Sequence, residues 1–184
     1  DPKMAVSIVH NAKTSRPSVC NAIDTVLVHQ AIADELIPVL ARRLEEHKVE
    51  MYADPKSHAL LTAIPYPYVH QAKKEDFGQE FLSLKMAVKV VADVQEALNH
   101  IHTYSTKHSE AIVTENKETA DVFLKSVDAA CVYHNASTRF TDGAQFGMGG
   151  EIGISTQKLH ARGPMSIREL TTYKWLIEGS GQVR

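Results

Sequence analysis

Cysteine, tryptophan and long apolar runs are scarce in this sequence, and neither sign of charge dominates. Two cysteines, Cys20 and Cys131, stand far apart in 184 residues. That usage does not resemble the disulfide framework of a small secreted domain, and it suits a reducing, cytoplasmic setting. No apolar stretch approaches the roughly 20 residues a bilayer-spanning helix needs, so a soluble chain without a membrane partner is expected. Twenty basic and twenty-two acidic residues leave a net charge of −2, with no basic block and no aromatic-basic interleaving. Nucleic acid is therefore not an expected partner. Ten histidines include no His-Glu-x-x-His, and no Cys-x-x-Cys occurs. His100 and His102 stand two apart in a helical pattern, which sends their rings to different sides, so no metal is expected. No signal peptide, internal repeat or low-complexity segment is found.

What is present is an ordinary globular composition, 43% hydrophobic and 23% charged, in alternating helix and strand patterns. Residues 4–14 carry Met4, Ile8 and Ala12 at helical spacing, with Pro17 near the limit. Residues 25–29 read as a strand. Residues 31–46 form the clearest helix, with Ile32, Leu36, Val39, Leu40 and Leu44 on one stripe and Pro38 inside it. A short strand at 49–52 precedes Asp54-Pro55, an N-cap with proline at the first helical position, opening a helix to about residue 61. Residues 63–68, with Pro65 and Pro67, read as an extended loop. The strand at 85–91, the Asp93-capped helix to about 103, the strand at 110–114, the helix at 117–125 and the strand at 129–134 continue the alternation. Such a pattern predicts an α/β fold with a mostly parallel sheet and crossover helices, whose ligands bind beyond the carboxyl ends of the strands. After Asn135 the chain becomes a glycine-rich loop, a short strand at 151–155 and a final strand at 170–177, an arm rather than sheet core. That last strand would leave an unpaired edge in a monomer.

The candidate nucleophile is Cys20, in Asn11-Ala-Lys-Thr-Ser-Arg-Pro-Ser-Val-Cys-Asn-Ala-Ile23. A thiol reacts as the thiolate, and Lys13 and Arg16 are the nearest positive charges in sequence to favour it. The alternative is a small buried apolar residue. Cys131, inside the apolar run Ala-Ala-Cys-Val-Tyr, reads as structural. Asn135-Ala-Ser-Thr-Arg-Phe-Thr-Asp-Gly143 follows a strand, where a binding loop belongs. Arg139 offers a planar fork for an anion, Asp142 a partner for an ammonium, and Ser137 and Thr138 further donors. The competing reading is a turn held by its own side chains. Phe146-Gly-Met-Gly-Gly-Glu-Ile-Gly153 is not the dinucleotide fingerprint, because counting from Gly147 the third glycine falls on Ile152. Arg162 suits either a phosphate or a carboxylate partner at a subunit contact.

These runs, together with Glu80-Phe-Leu-Ser-Leu84, Lys158-Leu-His-Ala-Arg-Gly-Pro164 and Leu170-Thr-Thr-Tyr-Lys174, resemble the C-terminal half of the γ-glutamyl phosphate reductase family of the aldehyde dehydrogenase superfamily. The resemblance implies an aldehyde dehydrogenase-like catalytic domain over residues 1–135. Residues 136–184 would then be the active-site loop and an oligomerisation arm joining copies of the chain. The N-terminal NADPH-binding domain would lie outside this chain, and the chain alone would not turn over. The implied reaction is reduction of γ-glutamyl phosphate to the semialdehyde through a Cys20 thioester, with NADPH as cofactor, in proline biosynthesis. Glu80 would hold the nicotinamide ribose, although the superfamily's glycine-proline ending is absent after Phe81. Asn135, Ser137, Thr138, Arg139 and Asp142 would line the substrate pocket. Another aldehyde or acyl-phosphate dehydrogenase, or a module serving only oligomerisation, are the alternatives.

Overall fold

The structure, a computed structural model, describes Asp1–Arg184. Its elements run α1 (Pro2–Thr14), β1 (Thr25–His29), α2 (Ala33–Glu45), β2 (Glu50–Ala53), α3 (Pro55–Thr62), β3 (Val69–Gln71), β4 (Lys85–Val91), α4 (Val94–Tyr104), β5 (Ser109–Ile112), α5 (Lys117–Ser126), β6 (Cys131–His134), β7 (Gly153–Ser155) and β8 (Gly163–Met165). The helix starts are written in the sequence. Asp1, Asp54, Asp93 and Asn116 each accept a hydrogen bond from a first-turn amide, and Pro2 and Pro55 occupy positions where no amide is needed.

β1, β4, β2 and β3 form one sheet in that order, every neighbouring pair parallel. β4 lies between β1 and β2, which is why it reads as an unbroken apolar run: Met86, Ala87, Val88, Val90 and Val91 are all buried. α2 covers this sheet with Leu36, Ile37, Leu40, Ala41 and Leu44, and continues through Pro38. β5 and β6 make a separate parallel pair joined through α5. The three-residue edge strand β3 escapes a pattern reading because it is too short to show alternation and follows two prolines.

The C-terminal segment departs from expectation. No strand forms at 170–177; Arg168–Leu170 is one 3₁₀ turn, and the residues beyond have no regular structure. A strand exists only by pairing, and this segment has no neighbour to pair with. Leu170, Tyr173, Trp175, Leu176 and Ile177 are accordingly exposed. The local sheet is instead β7 with β8, antiparallel, pairing Ile154 with Pro164.

α1 is fastened to the sheet by a buried ion pair. Lys13, fully buried, sits 3.5 Å from the Asp24 carboxylate and donates to the Ser83 carbonyl at 3.2 Å. Asp24 in turn accepts from the Phe81 amide at 3.1 Å. Burial pushes the Lys13 ammonium down and the Asp24 carboxyl up, each opposed by the other's charge. Desolvation thus exceeds attraction, and removing one partner should hurt more than removing both. Asp24→Asn, which strands the ammonium, is expected to cost about 3–5 kcal/mol in urea unfolding, and Lys13→Met/Asp24→Asn clearly less. In Asp24→Asn the Lys13 pKa falls further, so the native state binds fewer protons than the unfolded chain at alkaline pH. Stability of that variant should therefore climb with pH up to the ordinary lysine range more steeply than in the native chain. Equal losses in single and double variants would contradict the account.

Candidate active site

Cys20 lies on a folded turn just before β1. The turn is closed by hydrogen bonds from Ala22 N to Val19 O (3.0 Å) and from Ile23 N to Ala12 O (3.1 Å). Cys20 is solvent-exposed, while Asn21 and Ala22 behind it are buried. Glu80 stands just before β4. Because β1 and β4 are parallel, both residues reach the same edge of the sheet, at the amino ends of the strands. The expectation was a site beyond the carboxyl ends of the strands; Cys20 and Glu80 precede β1 and β4, whereas the loop carrying Arg139 follows β6. A cleft of about 640 Å³ runs between β1 and β5 along the length of β1, and Cys20 and Asn21 line one end of it.

The loop after β6 returns to the same edge and is tied there through Asn21. The Asn21 Nδ2 donates to the Thr141 carbonyl at 2.8 Å, its backbone carbonyl accepts from Thr138 Oγ1 at 2.7 Å, and its Oδ1 accepts from Arg139 Nη1. Arg139 Nε donates to Ser15 Oγ at 3.2 Å. The Thr141 hydroxyl shares 2.7 Å hydrogen bonds with Ser109 Oγ and Tyr133 OH, and Ser109 Oγ meets His108 Nδ1 at 2.8 Å. Glu151 reaches in from the glycine-rich segment and accepts from the Gly143 amide at 2.8 Å. Gly143 has no room for a side chain: a Cβ would sit 2.5 Å from the Gly150 carbonyl oxygen.

The residues expected at the site divide by what their polar atoms already do. Cys20, Glu80 and Arg139 come to one edge. Asn135, at φ +56°, uses both amide atoms on the Thr114 backbone, at 2.9 and 3.0 Å. Ser137 accepts from the Arg139 amide, Thr138 donates to Asn21, and Asp142 Oδ1 accepts from Ala144 N and Gln145 N. These are the bonds of a turn held by its own side chains, and they give Arg139 a fixed base. Arg162 pairs with Asp128 at 2.8 Å, as does Lys158 at 2.5 Å. The two cations hold the Asp128 carboxyl down at about 2. Arg162 thus finds its carboxylate within its own chain. Asn21, Ser15 and Glu151 were not singled out as site residues by the sequence reading. Only Asn21, adjacent to Cys20 in a resembling run, carried a signal.

The electrostatics around Cys20 also differ from the sequence expectation. Lys13 turns inward to Asp24 and does not serve the thiol. Partial burial pushes the Cys20 thiol up, and the charges of Glu151 and Glu80 push the same way. The residue's own backbone hydrogen bond and the Arg139 guanidinium oppose them.

No family model matches the chain. Among curated proteins it is 58% identical to the γ-glutamyl phosphate reductase of Chlorobium limicola and 56% identical to that of Bacteroides fragilis, over 100% of this chain and 44% of each relative. The crystal structure of γ-glutamyl phosphate reductase from Thermotoga maritima superposes with a TM-score of 0.94 at 51% identity, over 100% of this chain and 43% of that one. A propionaldehyde dehydrogenase from Clostridium phytofermentans shares the fold, with a TM-score of 0.61 at 18% identity over 90% of this chain and 45% of that one. The chain thus spans less than half the length of the curated relatives it matches.

The charge balance at the thiol is open to test on this chain. The pH midpoint for alkylation of Cys20 is expected above the ordinary thiol value of about 8.5. Glu151→Gln should lower it and Arg139→Met should raise it further. A midpoint below the ordinary value, unmoved by either change, would contradict the assignment of charges.

Proposed function

We propose that this chain, homologous over its full length to the γ-glutamyl phosphate reductases, supplies the nucleophile and substrate loop for NADPH-dependent reduction of γ-glutamyl phosphate to glutamate 5-semialdehyde in proline biosynthesis. The observation that carries the reading is an exposed cysteine thiol beside a guanidinium that no carboxylate pairs. An acyl phosphate needs both: a soft nucleophile for its carbonyl carbon and a cation for its leaving group.

The Cys20 thiolate attacks the acyl carbon; the C–S bond forms, and the C–O bond to phosphorus breaks with its electron pair leaving on phosphate. A thioester remains on Cys20. NADPH, when bound, supplies the hydride that the thioester carbonyl carbon takes up. The carbon–sulfur bond then breaks, returning the thiolate and releasing the semialdehyde. In this reading the Cys20 backbone amide donates to the oxyanion at each tetrahedral stage. Arg139 holds the departing phosphate. The exposed Glu80 carboxylate, at the mouth of the site, fits paired ribose hydroxyls as an acceptor. Occupation of Glu80 by the cofactor also removes part of the negative field that disfavours the thiolate.

In this reading residues 1–135 are the cysteine domain and residues 136–184 the loop and arm, with the cofactor domain elsewhere in a cytoplasmic protein. The exposed apolar row from Leu170 to Ile177 belongs against a second copy, and the isolated chain does not turn over. In the complete enzyme, Cys20→Ala should lower kcat/KM by more than about 10³-fold, while Cys131→Ser changes it by less than about threefold. Turnover that survives loss of Cys20, or fails with loss of Cys131, would overturn the proposal.

A further inference from the structure

Arg139 is held in an unusual way. Arg43 pairs with Glu46 and Arg162 with Asp128, and among the arginines without an ion pair Arg139 is the one whose guanidinium is held by two side-chain acceptors. Arg139 forms no ion pair. Its two acceptors are the hydroxyl oxygen of Ser15 and the carboxamide oxygen of Asn21, both neutral. Each acceptor is itself fixed. Ser15 spends its hydroxyl proton on the Asn11 carbonyl at 2.7 Å, which leaves its lone pairs for Arg139. Asn21, only 5% exposed, spends its Nδ2 on the Thr141 carbonyl, which settles the amide orientation and turns Oδ1 to the guanidinium. A carboxylate in either place would hold Arg139 as well, but would cancel its charge. Neutral acceptors fix the fork and leave the charge to act on whatever anion enters beside Cys20.

We infer that Asn21 is a positioning residue for the phosphate of the substrate: its buried, neutral carboxamide aims the Arg139 guanidinium at the anion next to the reacting carbon without neutralising it. The inference rests on the reading of Cys20 as the nucleophile of an acyl-phosphate reductase, since that places the anion one bond from the carbon attacked. Asn21 touches no reacting atom and acts through Arg139. Asn21 docks the loop by its main-chain carbonyl, bonded to Thr138, and by its Nδ2, bonded to the Thr141 carbonyl; Ser15→Ala leaves both bonds in place and so separates aiming of the guanidinium from docking.

The test uses the complete enzyme and inorganic phosphate. Two quantities are read: the phosphate concentration that half-protects Cys20 from alkylation, and the KM for phosphate with semialdehyde and oxidised cofactor as co-substrates. Arg139→Met is expected to raise both by about tenfold, or about 1.4 kcal/mol. Asn21→Asp keeps an acceptor for the guanidinium, adds a countercharge and gives up the Nδ2 bond to the Thr141 carbonyl, and is expected to match that increase within about threefold while leaving the KM for semialdehyde within about twofold. In the Arg139→Met background Asn21→Asp should add nothing, because both act through one group. Ser15→Ala, which spares the turn behind Cys20, should raise the phosphate requirement about threefold, so the inference does not hang on one variant's folding. Additive effects of Asn21→Asp and Arg139→Met would overturn it. So would a rise confined to the KM for semialdehyde, which would move the anion to the substrate's carboxylate. Protection by phosphate needs no turnover. Turnover retained in Cys20→Ala would therefore overturn the nucleophile reading, while the protection series still decides for or against Asn21.

Discussion

The edge of the sheet that carries the site depends on one carboxylate, Asp24. It stands at the entry to β1, receives Lys13 from α1, and accepts from the Phe81 amide ahead of β4. Its own main-chain carbonyl takes the Ala87 amide at 2.7 Å. Helix, first strand and the segment that carries Glu80 are therefore fixed at one point. The pair costs desolvation, as the directions of both titrations say, so its value is placement rather than stability. Because β1 and β4 are parallel, fixing their entries together fixes Cys20 and Glu80 on the same edge.

The second tie is Asn21, which brings a loop from the far end of the β5–β6 pair back to Cys20. Between them, the two ties assemble two carboxylates, a thiol and a guanidinium from four separate stretches of chain. In that assembly partial burial and the two carboxylates push the thiol up, and Arg139 is the one side-chain charge that opposes them. Under the proposed function, a ribose bound at Glu80 would relieve one of the two carboxylate contributions that push the thiol up.

How much of this was legible in the sequence follows from the range of each interaction. Helix starts at Asp54 and Asp93 were readable because a cap acts over three residues. The apolar run at 85–91 announced a strand, and its place between β1 and β2 explains why both its faces are buried. The α/β class followed from alternation, and the Cys20 turn and the loop around Arg139 were found as motifs. What failed was long-range. Lys13 is near Cys20 in sequence but is claimed by Asp24, and the charge that does face Cys20 comes from Arg139, more than a hundred residues away. Glu151 lay inside a glycine-rich stretch whose only visible signal was backbone freedom. Alternation at 170–177 described a strand's composition but not its partner, and no partner lies within this chain. The polar groups of Asn135, Ser137, Thr138 and Asp142 were readable as a binding loop or as a turn; their hydrogen bonds are those of a turn that presents Arg139.

The central claim is that Cys20 accepts the acyl group. The most direct measurement incubates the complete enzyme with γ-glutamyl phosphate generated in place, without reduced cofactor, and maps the acylated peptide by mass spectrometry while counting phosphate released. The account predicts a hydroxylamine-sensitive glutamyl adduct on the peptide containing Cys20, with phosphate released in excess of that in the Cys20→Ala enzyme, where only cyclisation of the free acyl phosphate releases it. Release equal to that of Cys20→Ala, or an adduct on Cys131, would contradict it.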